Sequence, residues 1–175
     1  MIDDIWQVIV VLEIFTMQLG FMMIEVGTIR FKNQRSVIYK NLLDIFMVAV
    51  TFWGLGYGIS VGATGGLHGK GGFFDREFDE KSFNQWILGY CFCCSTCTIV
   101  SGALAERTFI DTYLAYSFVM SSLIYPVISC WAWGGGWLQG LGFHDHGGSG
   151  VVHLTAGISG MIGTIFLGPR IGYLK

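Results

Sequence analysis

The sequence predicts an all-α polytopic membrane protein with five transmembrane helices, and three observations lead there. Charged residues make up 13% of the 175-residue chain and hydrophobic residues 53%, with a mean hydropathy of +0.58. Soluble domains carry about a quarter charged residues, so roughly half the usual charge is missing. The remaining charges are also clustered: residues 45–69, 82–105, 112–144 and 146–169 contain none. Each run exceeds the roughly 20 apolar residues that cross a bilayer core at about 1.5 Å per residue.

The first span is predicted over 5–27, apolar apart from Glu13 and Glu25. The start, Met1-Ile2-Asp3-Asp4, has no basic segment and no small-residue cleavage pattern, so this helix is expected to stay in the membrane rather than be removed. The charge-free runs place the next spans over 42–62, 84–105, 112–133 and 150–168. Orientation follows from Lys and Arg in alternate loops. Arg30, Lys32, Arg35, Lys40, Arg107, Arg170 and Lys175 fall on one side, and Lys70, Arg76 and Lys81 on the other, among four acidic residues. The richer side is expected to be cytoplasmic, with the N-terminus outside and the C-terminus inside. Net charge is −2 and there is no basic tract, so nothing points to nucleic acid.

The loops differ in character. Residues 63–83 are Gly-rich and then charged, as a solvated loop is. Residues 134–150 hold eight glycines, which implies backbone packed closely or held at unusual dihedrals. Non-helical backbone beside a span is tolerated where it is buried in protein or lines a cavity, and a site is expected here. The fifth span carries small residues four apart, Ala156, Gly160, Thr164 and Gly168. Such a ladder admits another helix at close range and predicts a position in the middle of a bundle.

Four of the five cysteines lie within 91–97. A thiolate metal site is one reading. The other, favoured because no histidine or carboxylate lies nearby, is cysteine as a small apolar residue between close helices. His144 and His146 flank Asp145, but no third ligand is evident. No metal and no cofactor are expected, and no enzyme active site.

His153 sits one turn into the fifth span. A histidine inside a bilayer faces a bundle interior or a conduction path more often than one in a soluble core does. Its two nitrogens can accept, donate and relay a proton. Asp145 precedes that span and has two compatible readings. Its oxygen can cap the free N–H groups of the first turn. A cation site at this mouth would also need a carboxylate to override the positive helix N-terminus. Glu13 lies about 12 Å into the first span. It either faces the bundle and hydrogen-bonds, or is neutral.

These residues resemble the ammonium transporter family (Amt/MEP/Rh). The stretch from Asp145 through His-Gly-Gly-Ser-Gly-Val-Val-His153 to Gly168-Pro-Arg170 is similar to the family signature. So are Met17 to Asn33, Ser101-Gly-Ala-Leu-Ala-Glu-Arg107 and Trp133-Gly-Gly-Gly136, in order along nearly the whole chain. The resemblance implies one five-helix half of an inverted-repeat channel fold, the N-terminal half, assembled as a homotrimer around ammonium or ammonia. It implies that Trp133 holds ammonium in an outer vestibule and that Phe92 is the outer member of a phenylalanine gate. It implies too that Asp145 supports recruitment and that His153 is the first of two pore histidines. His146 and Gly147 stand where the signature has other residues. The second gate phenylalanine, a vestibule serine and the second histidine belong to a half beyond this chain. In inverted-repeat transporters the path runs between repeats. Two other classes compete: a non-conducting truncated fragment, and a membrane redox enzyme with haem on its histidines.

Overall fold

The computed structural model describes residues 2–69, 71–74 and 79–170, with side chains from Ile5 onward. Lys70, Asp75, Arg76, Glu77 and Lys175, which enter the orientation argument, lie outside the described residues. Five long apolar helices are present and no strand among the described residues. They are α1 (Ile2–Thr28), α2 (Phe31–Ser60), α3 (Glu80–Leu104), α4 (Ile110–Gly140) and α5 (Ser149–Leu167). Each is long enough to cross a bilayer, and the chain is an integral multi-pass membrane protein.

α2 begins at Phe31, well before the 42 at which its span is predicted to start. The reason is that its early charges are used inside the bundle. Lys40 Nζ donates to Glu25 Oε1 of α1 at 2.5 Å, and Asn41 Nδ2 donates to Glu25 Oε2 at 2.8 Å. Ser101 of α3 adds its hydroxyl at 3.0 and 2.9 Å. The ammonium of Lys40 also lies 4.5 Å from the Tyr113 ring centre on α4. All of these residues are buried, so one carboxylate ties three helices and its lysine partner reaches a fourth. Removing a single partner from such a cluster leaves an uncompensated buried charge.

α3 is the central helix, packed against α1, α2 and α5. Asp79 sets its start by accepting from the Ser82 N–H at 2.8 Å. Cys91, Cys93, Cys94 and Cys97 are buried and free, filling the space between neighbours. Among the described residues no group of three or more metal-binding side chains exists. The small-residue ladder of α5 meets α3, where a Cβ at Gly160 would lie 2.9 Å from Ala103. Its opposite face, with Ile158, Met161, Ile165 and Phe166, is exposed. Thus α5 sits at the edge of this five-helix unit, not in its middle, because only one of its faces is covered here. Of the two readings of Glu13, the one in which it faces the bundle does not hold: it is on the exposed face of α1, with Ile9 and Leu12.

Helices α2 and α4 each contain a π turn, Phe52–Gly56 and Met120–Ile124. Pro126 has no N–H for the carbonyl four residues earlier, which loosens α4 just there. The two turns touch: a Cβ on Gly56 would lie 2.5 Å from the Ser121 carbonyl oxygen.

At the basic ends of the helices, Glu106 binds three segments together. Arg30 Nε reaches Glu106 Oε1 at 2.9 Å, Asn33 Nδ2 donates to the same oxygen at 2.5 Å, and Arg170 lies 3.5 Å from Oε2. Burial pushes the Glu106 carboxyl up, but the bonds from Arg30 and Asn33 and the Arg30 charge outweigh it. They hold it below the usual carboxylate range. A carboxyl so lowered stabilises the fold at neutral pH and loses that contribution as pH falls through its folded value. Glu106→Gln is therefore expected to lower the Tm by about 2–4 °C at pH 7. Thermal melts of both proteins at successively lower pH should converge as Glu106 of the unsubstituted protein becomes protonated.

Candidate solute-binding vestibule

Asp145 lies in the Gly-rich loop between α4 and α5. Its Oδ2 accepts from the Gly150 and Val151 N–H groups at 2.9 and 2.7 Å. These are first-turn donors of α5 with no helical partner of their own, so the carboxylate caps the helix. The same residue also holds an aromatic ring in place. Trp133 Nε1 donates to the Asp145 backbone oxygen at 3.1 Å. Across from it, the Phe92 ring of α3 lies 5.4 Å away at an interplanar angle of 45°.

The backbone after Trp133 explains its run of glycines. A Cβ at Gly134 would fall 2.0 Å from the Ser60 carbonyl oxygen, and Gly135 has a φ of +84. Neither position admits an ordinary side chain. In return the chain clamps onto the end of α2, with Ala63 N–H bonding the Gly134 carbonyl at 3.0 Å and Gly65 N–H that of Gly135 at 2.8 Å.

Together these elements enclose a cavity of about 370 Å³. Phe92, Trp133 and Asp145 all line it, so three of the four residues singled out from sequence come together. Tyr125, Ser129, Ser60 and Gln85 line it as well. Sequence reasoning missed these four. Tyr125, Ser129 and Trp133 stand four apart and so share a face of α4, a signal that was present in the spacing.

His153 is not in this cavity. It occupies the π turn Ser149–Leu154 that opens α5, where Val151 and Val152 point inward and the histidine is exposed. Its backbone N–H bonds Gly148 O at 3.0 Å. His144 and His146 stack at 6.3 Å and are both exposed.

Five long apolar helices, with a cavity lined by an indole, a phenyl ring and a carboxylate, define a polytopic membrane protein. A model of the Ammonium Transporter Family matches residues 5–175, and this chain belongs to that family. The ammonium transporter Amt2 of Archaeoglobus fulgidus is 37% identical over 184 residues, covering 98% of this chain and 39% of that protein. Ammonium transporter 3 of Dictyostelium discoideum is 35% identical over 173 residues, covering 97% and 40%. Among solved structures, a sensor Amt protein superposes with a TM-score of 0.90 at 33% identity, covering 95% of this chain and 44% of its own. The chain thus spans about two-fifths of the length of these curated relatives.

The capping bonds have a direct consequence. Asp145→Ala should cost about 0.5–2 kcal/mol and loosen Trp133. Asp145→Asn, whose amide oxygen also accepts, should retain most of that stability. Thermal melts with tryptophan emission read both effects, and equal losses in the two variants would contradict the capping role.

Proposed function

We propose that this chain forms the N-terminal half of an ammonium-conducting unit, with its N-terminus outside the plasma membrane and its C-terminus in the cytoplasm. In this reading the unit is completed by a second inverted repeat and assembles as a homotrimer. One observation supports it most: a single cavity gathers Trp133, Phe92 and Asp145, and one residue fixes both the helix end and the ring.

Ammonium is recruited at the vestibule, where the face of Trp133 attracts it. Such cation–π contacts contribute about 0.5–2 kcal/mol. Stripping the ion of water costs far more, so attraction to an aromatic face does not carry a charged ion through an apolar constriction. The solute therefore gives up its proton and passes Phe92 as ammonia. The α5 N-terminus is positive and would repel a cation, and Asp145 offsets that field.

His153 serves the next step. It is exposed on the face of α5 that this half leaves open, where an inverted repeat would lie against it. There its ring nitrogens hydrogen-bond the neutral solute or handle a proton. Potassium has no proton to lose and is rejected.

The test is methylammonium uptake by vesicles holding the complete protein. Asp145→Asn separates recruitment from capping, and His153→Ala removes the relay. Each is expected to cut uptake at least about tenfold. Uptake that both substitutions leave untouched would count decisively against this reading.

A further inference from the structure

α4 carries a hydroxyl at every fourth position over 113–129: Tyr113, Ser117, Ser121, Tyr125 and Ser129. All five are buried. Residues four apart share a helix face, so these form one polar stripe about 24 Å long. Serines in membrane helices often bond their own backbone, and Ser121 does so, donating to Ser117 O at 2.7 Å. That habit does not explain what faces the stripe. Ser117 donates to Oδ1 of Asp44, a fully buried carboxyl of α2. Thr51, two turns further along α2, places its hydroxyl 2.5 Å from that of Ser121.

The stripe joins two cavities. At one end Tyr125 and Ser129 line the vestibule that holds Trp133 and Phe92. At the other, Lys40 lies over Tyr113 and lines a second cavity of about 320 Å³ among Asn33, Ser36, Glu106 and Arg107. Between them, four buried atoms have no hydrogen-bond partner: Asn41 Oδ1, Asp44 Oδ2, Tyr113 OH and Tyr125 OH. Unpartnered buried polar atoms are uncommon in folded proteins and are normally met by internal water. An ionisable residue inside a membrane span is by default a candidate for a pathway or a proton relay.

We propose that the seam between α2 and α4 is a hydrated proton path, with Asp44 as the group that takes up and releases the proton. It rests on the ammonium reading above and runs beside the Phe92 and His153 route, not through it. At the vestibule an N–H bond of ammonium breaks, the nitrogen keeps the electron pair, and ammonia departs past Phe92. The proton bonds to water held by Tyr125 and Ser129. Successive rungs of the stripe are about 6 Å apart, which one water or one further hydroxyl spans with two ordinary hydrogen bonds. The proton passes along Ser121, Thr51 and Ser117 to Asp44, and leaves by Tyr113 to the Lys40 cavity. No oxidant or reductant takes part.

The groups facing Asp44 are known from every packed helix. Lys40 lies on α2 itself, Glu25 on α1, Cys93, Cys94 and Cys97 on α3, and Tyr113 and Tyr116 on α4. Glu25 holds Lys40 in an ion pair, which leaves the Asp44 carboxyl without a dedicated cation.

The experiment uses the complete protein in liposomes on a solid-supported membrane, given a methylammonium pulse. It records charge moved and radiolabelled methylammonium taken up, as a ratio. Asp44→Asn is expected to lower that ratio at least about tenfold with uptake retained, and Asp44→Glu to restore it. Ser117→Ala and Tyr113→Phe should lower it partially, and they carry the test if Asp44→Asn fails to assemble. A merely structural role for Asp44 would change uptake and charge together. An Asp44→Asn ratio within twofold of the unsubstituted protein overturns the path, as does an unsubstituted protein that moves no charge. If His153→Ala abolishes uptake while the Asp44→Asn ratio holds, the path alone fails. If His153→Ala and Asp145→Asn leave uptake untouched, the ammonium reading itself has failed.

Discussion

The carboxylate of Asp145 on the free N–H groups of α5 is the contact on which the vestibule depends. A helix N-terminus beside a membrane must be satisfied by something, and here a loop residue does it from outside the helix. That fixes the loop, and the loop's own carbonyl then fixes the indole of Trp133. Phe92 follows, because its ring packs on that indole. The cavity is therefore not a gap left by poor packing. It is lined by the residues that these three contacts bring together.

A second constraint acts in the helix interior. Glu25 and Lys40 sit where water is scarce, and each is tolerable only with the other and with Asn41 and Ser101 in place. This cluster explains why α2 starts so early. Counting charges along the chain treats Lys40 as part of a solvated loop and leaves Asp44 just ahead of the charge-free run. The fold turns both inward, where they join helices that the count would separate. Glu13 runs the other way, since a charge deep in an apolar span suggests an inward partner and α1 presents it on its exposed face. Sequence carries the number of charges in a span but not the direction in which each one faces.

Five long apolar helices were legible because lipid imposes a length and an absence of charge that few other environments require. The glycine-rich stretch after Trp133 was legible as a place of close packing, and Gly134 against Ser60 gives that its cause. Trp133 and Phe92 themselves were not separable by periodicity among so many aromatics, and only the family resemblance picked them out. Tyr125 and Ser129 went unnoticed although their spacing was visible, because a lone hydroxyl in an apolar helix is ordinary until its neighbours one turn away are read with it. The open face of α5 could not be read from its small-residue ladder, which records one packed side and says nothing of the other.

Membership of the family is settled by the match over residues 5–175, while the proposed crossing of a charged solute rests on chemistry at this cavity. The central claim is that the solute leaves its charge behind before the apolar constriction. It is tested most directly by comparing fluxes of methylammonium and tetramethylammonium through the complete protein in vesicles. Tetramethylammonium offers Trp133 the same cationic attraction but has no proton to lose. The account requires measurable methylammonium flux and none of tetramethylammonium; comparable flux of both would contradict it.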